Sequence, residues 1–164
     1  MKNTVCVMLR FLDVARDIVA LPHVDDFGID PYWHPENPKR YTEPYNHVYT
    51  NTKNILRMAD EFQKNTHVWI QGYNIPAGYE DEIILATDAA YDAGARTILT
   101  WSFRGGEPNS YRCDHCDRVW SVMGEAMHRI RSRHFDAVRA ARRGEIEQWG
   151  KTLGLCPKPC LNLS

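Results

Sequence analysis

Four short apolar runs alternate with four stretches of helical periodicity, and this alternation restricts the fold of the 164-residue chain more than any other feature. The runs contain β-branched residues and have the length of buried strands, whereas the stretches between them place apolar residues three and four positions apart. The predicted strands are 3–9, 24–30, 66–71 and 96–101, and the predicted helices are 11–21, 46–64, 80–93 and 117–143. Each crossover is long enough to make the next strand parallel. We therefore expect an α/β fold of four βα units.

We also expect particular features of the first strand and of the last helix. The first strand is apolar without interruption from Val5 to Leu9, which predicts burial on both of its faces. Gly144 is expected to interrupt the last helix. The chain is therefore divided into a domain at 1–143 and a loosely ordered tail at 144–164.

Four parallel units can form a small open doubly wound sheet or half of an eight-stranded (β/α) barrel. A nucleotide-binding sheet normally has a glycine-rich phosphate loop after its first strand. The segment 9–12, which follows the first predicted strand, contains no glycine, and Gly105 and Gly106 do not belong to a P-loop motif. Nucleotide binding is therefore disfavoured, and no cofactor is expected.

Polar and aromatic residues follow three successive predicted strands at the point where each strand ends. The candidates are Asp30, Tyr32 and Trp33 after the second strand, Gln71, Tyr73 and Asn74 after the third, and Trp101 and Arg104 around the end of the fourth. Because the carboxyl ends of parallel strands lie at one edge of a sheet, these side chains are expected to meet. Aromatic faces beside hydrogen-bonding groups suit sugar rings, whose faces are apolar and whose edges carry hydroxyls. The pattern therefore predicts a carbohydrate site at this edge.

Each candidate also has a purely structural interpretation. Asp30 can cap its own loop, the aromatic side chains can fill the end of the sheet, and the amides of Gln71 and Asn74 can hold a hydrogen-bonded loop together. Arg104 can pair with Glu107 or with Asp30 instead of an anionic ligand.

The chain resembles the last three strands of (β/α)8-barrel glycoside hydrolases and their relatives. The similar segments are Asp30-Pro31-Tyr32-Trp33, Trp69-Ile-Gln-Gly-Tyr73 and Thr100-Trp101-Ser102-Phe103-Arg104. The resemblance covers roughly residues 3–135 and corresponds to the C-terminal half of such a TIM barrel. It implies that Asp30 is catalytic, that Trp101 forms the floor of a sugar subsite, and that the remaining candidates bind an O-glycoside.

The sequence departs from this family at the catalytic carboxylates. The largest clan of barrel glycosidases carries a nucleophilic Glu at the end of strand seven and an acid/base Glu after strand four. The strand that resembles the seventh ends in Gln71-Gly72-Tyr73, and a strand resembling the fourth is absent. Hydrolysis needs two carboxylates about 5 to 9.5 Å apart, so Asp30 requires a partner. We expect that partner in a missing N-terminal half or in a second copy of a homodimer; the alternative is a non-catalytic carbohydrate-binding or scaffold fragment.

The cysteines leave a further alternative open. Cys113 and Cys116, together with Cys156 and Cys160, could supply four thiolates to zinc and form an interaction module. The first pair could also be a redox motif, although it follows the strand by a dozen residues instead of directly. Free, reduced cysteines are the expected state, including Cys6, and no metal site is predicted.

Charge and hydropathy exclude several kinds of partner. The formal net charge of −1 gives no basic field for nucleic acid or for an anionic membrane. The sequence contains no run of about 18 apolar residues and no apolar N-terminal segment of the signal-peptide type. As written, the chain is expected in the cytoplasm with a carbohydrate as its ligand.

Overall fold

The computed structural model describes residues 2–34, 39, 41–101 and 115–153. Its contacts divide the chain into two compact units, Met1–Met127 and His128–Ser164. The elements in chain order are β1 (Thr4–Met8), a 3-10 turn (Leu9–Phe11), α1 (Leu12–Val19), β2 (Asp26–Asp30), α2 (Pro44–Glu61), β3 (Asn65–Gln71), α3 (Glu82–Ala93), β4 (Ile98–Trp101) and α4 (Cys116–Thr152). Strands and helices alternate as the sequence predicts.

The four strands form one sheet in chain order, and all three pairings between neighbours are parallel. The register places Met8 beside Asp30, Gly28 beside His67, and Gln71 beside Trp101. The predicted α/β fold of four βα units is therefore confirmed. The sheet is open and is not closed into a barrel.

Helices α1, α2 and α3 pack against one face of the sheet. Phe27, Ile29, Val68 and Ile70 lie in the hydrophobic core with at most 1% of their surface exposed. These residues alternate along β2 and β3, so their side chains project to the same face of the sheet. Each buried side chain of this size contributes about 1.5–3 kcal/mol through removal of apolar surface from water. This core fixes the strands whose ends carry the candidate site.

Local signals explain where the helices begin and end. The Glu43 carboxylate accepts hydrogen bonds from the backbone N–H groups of Tyr45 and Asn46, at 2.9 and 2.8 Å. It thereby caps α2, and Pro44 occupies the first helical position, where its missing N–H costs nothing. The helix consequently begins two residues earlier than predicted. Gly94, with φ of 114°, ends α3 in the left-handed conformation that glycine adopts easily.

The prediction of a first strand buried on both faces is wrong. In β1 only Val7 is buried, at 4% exposure, whereas Met8 on the opposite face is 46% exposed. The strand lies at the edge of the sheet and pairs only with β2 among the described strands. An uninterrupted apolar run therefore does not distinguish a central strand from an edge strand.

The second unit is described as helix from His128 to Thr152, continuing α4 through Gly144. The predicted interruption at Gly144 is therefore wrong, because a single glycine weakens a helix without necessarily breaking it. Its most exposed large apolar side chains are Trp149, at 74%, and Leu153, at 63%. The boundary between 143 and 144 stays a prediction, and 154–164 lie outside the described residues.

Candidate functional site

The carboxyl ends of the four strands surround a cavity of about 500 Å³, which we call the mouth. Its lining residues are Cys6, Met8, Leu9, Asp30, Tyr32, Trp69, Tyr73 and Trp101. Four of the sequence candidates therefore meet there, namely Asp30, Tyr32, Tyr73 and Trp101. The sheet register explains this convergence, because side chains paired across parallel strands project to the same face.

Two aromatic pairs form part of the lining of the mouth. The rings of Trp69 and Trp101 have centroids 5.9 Å apart and planes at 87°, and the rings of Tyr32 and Tyr73 lie 5.2 Å apart at 89°. Both are edge-to-face contacts, a geometry favoured by the ring quadrupoles and worth about 0.5–1.5 kcal/mol per pair. Trp101 nevertheless remains 49% exposed, so part of its indole is available to a ligand.

Asp30 contributes the acidic group of the mouth. It is the last residue of β2, lies partly buried, and is paired in register with Met8 of β1. Among the described residues that line the cavity it is the only carboxylate. A carboxylate with aromatic rings around it can donate a proton to a leaving oxygen, attack a carbon centre, or accept a hydrogen bond from a sugar hydroxyl.

The Cys6 thiol lies in the same cavity but is a poor nucleophile. Although Cys6 is exposed as a whole residue, burial around its thiol and, secondly, the negative charge of Asp30 raise the pKa of this group to about 12. At neutral pH the sulfur therefore keeps its proton, and only the thiolate is strongly nucleophilic. The mouth accordingly offers oxygen chemistry at Asp30 and not thiolate chemistry at Cys6.

Gln71 lies at the carboxyl end of β3 but contacts protein on all sides. Its Oε1 accepts hydrogen bonds from the backbone N–H groups of Trp33 and His34, at 2.9 and 3.0 Å. Its Nε2 donates to the carbonyl oxygens of His34 and Tyr73, at 2.7 and 3.0 Å. An amide side chain has two donors and two acceptor positions, so this network uses its full capacity. Gln71 thus holds the loop after β2 and presents no group to a ligand in this structure.

Trp33 and Asn74 are placed outside the mouth as well. Trp33 is completely buried, and its indole N–H donates to Glu82 at 2.9 Å. Asn74 donates through Nδ2 to the carbonyl oxygen of His34 at 3.1 Å, and its φ of 53° lies in the left-handed region that asparagine tolerates. The sequence could not separate Trp33 from its neighbour Tyr32, because loops have no periodicity that assigns faces.

Glu82, in the first turn of α3, is a residue that sequence reasoning missed. Its carboxylate accepts hydrogen bonds from the Trp33 indole, from His34 Nε2 at 2.7 Å, and from the Tyr41 hydroxyl at 2.7 Å. The hydrogen bond to Glu82 is the main cause that raises the pKa of Tyr41 to about 12, followed by desolvation. This cluster fastens the segment between β2 and α2 to helix α3.

A hydrogen-bonded pair of His67 and Asp26 lies next to Gly28. His67 is 2% exposed, hydrogen bonds through Nδ1 to Asp26, and occupies the space where a side chain at position 28 would lie. A Cβ built on Gly28 would overlap the His67 imidazole. Glycine is therefore required at position 28 by close packing of the ring against the backbone. The sequence signal was available, since a glycine inside a strand often marks such an approach.

Two further predictions fall partly on residues that are not described. Arg104, Cys113, Cys156 and Cys160 lie outside the described residues, so the ligand-binding role of Arg104 stays a prediction and the zinc module stays an open alternative. Across 2–34, 39, 41–101 and 115–153, no group of three or more His, Cys, Asp or Glu side chains could hold a metal ion. Within those same ranges, no helix combines the length and apolar character needed to cross a membrane.

Comparisons with known proteins add one distant likeness. No protein-family model and no curated protein sequence matches the chain. Among solved structures, the chain is similar to a candidate alpha-L-fucosidase from Bacteroides thetaiotaomicron, with 15% sequence identity and a TM-score of 0.44 over 73% of this chain. The chain spans about a third of the length of that protein, 34%. Function therefore has to be inferred from the residues of the mouth.

Proposed function

We propose that this chain is part of a carbohydrate-active protein of the glycoside hydrolase type, in which the mouth acts on or binds an O-glycoside. The observation that carries this proposal is the meeting of the Asp30 carboxylate with a half-exposed Trp101 and three further aromatic rings in one cavity. Sugars are bound in proteins by this combination, because a ring face stacks on the apolar side of the sugar while a carboxylate accepts its hydroxyl protons.

The aromatic rings of the mouth support the proposal that it binds a sugar. Trp69 meets Trp101 edge to face and so restricts the plane of the exposed indole before any ligand arrives. A preorganised ring loses little conformational entropy on binding, which favours affinity per unit of buried area. Tyr32 and Tyr73, which also line the cavity, hold one another in the same way.

The Asp30 carboxylate supports the proposal that the mouth takes part in hydrolysis. As a carboxylic acid, Asp30 would donate its proton to the glycosidic oxygen while the bond from that oxygen to the anomeric carbon breaks. As a carboxylate, it would instead activate water or attack the anomeric carbon. Either role requires a second carboxyl group on the other side of the scissile bond.

A non-catalytic carbohydrate-binding fragment is the second candidate function. The specific observation in its favour is that, in the part of the chain that the structure describes, Asp30 is the only carboxylate lining the cavity. Binding requires only the aromatic surface and one hydrogen-bonding group, and both are present in one copy.

The test combines turnover with binding. Release of nitrophenol from α- and β-linked aryl glycosides is measured for the wild type and for Asp30→Asn, and binding of the parent sugars is measured by tryptophan fluorescence and calorimetry. Turnover that falls at least about a hundredfold in Asp30→Asn supports a catalytic carboxylate. Equal turnover by both proteins removes Asp30 from the mechanism, whereas binding without turnover selects the second candidate.

A further inference from the structure

The sheet is covered on one face and only partly covered on the other. Helices α1, α2 and α3 pack against the face that carries Phe27 and Ile29. The opposite face, which we call the inner face, carries Cys6, Met8, Asp30, Trp69, Leu99 and Trp101. On it, Met8 is 46% and Trp101 49% exposed. Parallel sheets normally have both faces buried, so the inner face has the character of a surface that another group of strands or helices covers.

Both outer strands of the sheet are open as well. In the order β1-β2-β3-β4, the strands β1 and β4 each pair on one side only within the described part of the chain. Their outward backbone groups form a row that favours pairing with a further strand. The open sheet contains four strands, and eight parallel strands close into a barrel whose interior is filled by side chains.

A twofold axis parallel to the strands would satisfy both edges at once. Such an axis keeps the direction of every strand, so all eight strands of two copies stay parallel. It places β4 of each copy beside β1 of the other, which gives two identical contacts and a closed ring. A second copy is therefore a geometrically complete partner for this sheet, and no other chain is needed to remove the open edges.

We propose that two copies of this chain close into one eight-stranded barrel, whose single mouth brings together Asp30 of each copy. This proposal rests on the proposed function, and it supplies the second carboxylate that hydrolysis requires. Acid and base catalysis need one protonated and one ionised carboxyl group on opposite sides of the scissile bond, and the two Asp30 residues provide this pair. One Asp30 is then the acid and the other the base.

The reaction on this pair is a hydrolysis that needs only water. The protonated Asp30 gives its proton to the glycosidic oxygen as the bond from that oxygen to the anomeric carbon breaks, and the alcohol leaves. The ionised Asp30 takes a proton from the water molecule whose oxygen bonds to the anomeric carbon. The free sugar and the alcohol are released, and the Asp30 that gave up its proton is now ionised while the other carries the proton taken from water.

The oligomeric state of the full chain tests the interface directly. Light scattering after gel filtration should give twice the 19.0 kDa of one chain. Met8→Lys, on the inner face, should produce monomers, whereas Leu85→Lys on α3 should not, because the two side chains are equally exposed at 46% but lie on different surfaces. Circular dichroism verifies that both variants are folded. A wild-type monomer at about 50 μM, a concentration far above the Kd of a stable dimer, overturns the proposal.

Mixing experiments test the shared carboxylates. Wild type and Asp30→Asn are refolded together in equal amounts, so that random pairing leaves about a quarter of the dimers with both carboxylates. Activity should fall to that quarter of the wild-type value, whereas independent sites would retain half, and retention of half overturns the shared site.

Failure of the interface and failure of the function have different signatures. A monomer that hydrolyses aryl glycosides overturns the barrel of two copies while the proposed function stands. A dimer that hydrolyses none of them overturns the shared hydrolytic site, and sugar binding by that dimer leaves the non-catalytic candidate.

Discussion

Trp69 of β3 and Trp101 of β4 meet edge to face across neighbouring strands, with ring centroids 5.9 Å apart. The two residues belong to adjacent ends of parallel strands, so the contact is fixed by the sheet and not by a loop. It turns the exposed indole of Trp101 into a platform with a defined plane at the side of a 500 Å³ cavity.

Removal of the Trp101 ring should weaken sugar binding without unfolding the protein. We expect Trp101→Ala to raise the Kd for the best monosaccharide ligand about tenfold, because loss of a stacking contact costs about 1.4 kcal/mol. The matched control is Trp120→Ala on α4, since Trp120 is 50% exposed and Trp101 49%. Calorimetric titrations of both variants measure the difference, and an equal loss of affinity in the two would contradict a specific platform.

The Gln71 amide should contribute strongly to stability. Gln71→Ala removes the amide that pairs with the buried backbone N–H groups of Trp33 and His34 and with the carbonyl oxygen of Tyr73. The carbonyl oxygen of His34 keeps its hydrogen bond from Asn74. Since an unsatisfied buried group costs about 1–3 kcal/mol and water replaces some of the bonds, the free energy of unfolding should fall by about 3 kcal/mol. Urea denaturation measures it. Gln148→Ala, at an exposed helical site, should change stability by less than about 0.5 kcal/mol, and a comparably small effect at position 71 would refute the network.

Gly28 and His67 should behave as one packed unit. Gly28→Ala is expected to destabilise the protein by about 1–3 kcal/mol, because the added methyl overlaps a buried imidazole. Gly124→Ala, in open space on α4, should instead stabilise by about 0.5–1 kcal/mol. Combining Gly28→Ala with His67→Ala should remove most of the cost of the added methyl group, and thermal or urea unfolding of the wild type, the two single variants and the double variant gives the coupling energy. If the two substitutions have additive effects on the free energy of unfolding, the His67 ring does not cause the destabilisation by the added methyl group.

The Cys6 thiol should make stability depend on pH above neutrality. Its pKa is raised in the folded protein to about 12, chiefly by burial and then by the charge of Asp30, whereas an unfolded cysteine titrates near 8.5. The folded state therefore holds this proton more tightly. The stability linked to it is fully present below about pH 8.5 and is lost as the pH rises toward 12.

The measurement compares wild type with Cys6→Ser at pH 8 and at pH 10.5. The urea midpoint should fall more steeply for the wild type, because serine does not titrate in this range. Tyr41, whose pKa is also raised to about 12, is present in both proteins and does not affect the comparison. Parallel losses of stability in the two proteins would show that the Cys6 proton is not linked to folding.

The sequence predicts the parallel strands and the meeting of four candidates because both follow from general rules. Asp30 and Trp101 end parallel strands, and such ends lie at one edge of a sheet. Trp69 could also have been predicted, since it lies two residues before Gln71 and alternate residues of a strand share a face. Trp33 and Tyr32 could not be separated, because the partner that buries Trp33 is Glu82, 49 positions further along the chain.

The edge position of β1 could not be predicted for a related physical reason. Whether Val5 and Met8 are covered depends on what lies beside the strand in space, and composition records only that the strand is apolar. The sequence likewise could not show that all four hydrogen bonds of the Gln71 amide are made within the protein. Its four partner atoms belong to residues 33, 34 and 73, which only the folded structure brings together.

The Glu82 cluster has a consequence for protein engineering. The Glu82 carboxylate accepts hydrogen bonds from Trp33, His34 and Tyr41. The segment after β2 and the first turn of α3 therefore have to be transferred together. A graft that moves this segment into another βα scaffold has to carry an acidic residue at the equivalent of Glu82. Without it, the transplanted loop would lose the carboxylate that holds Trp33, the residue next to Tyr32 of the mouth.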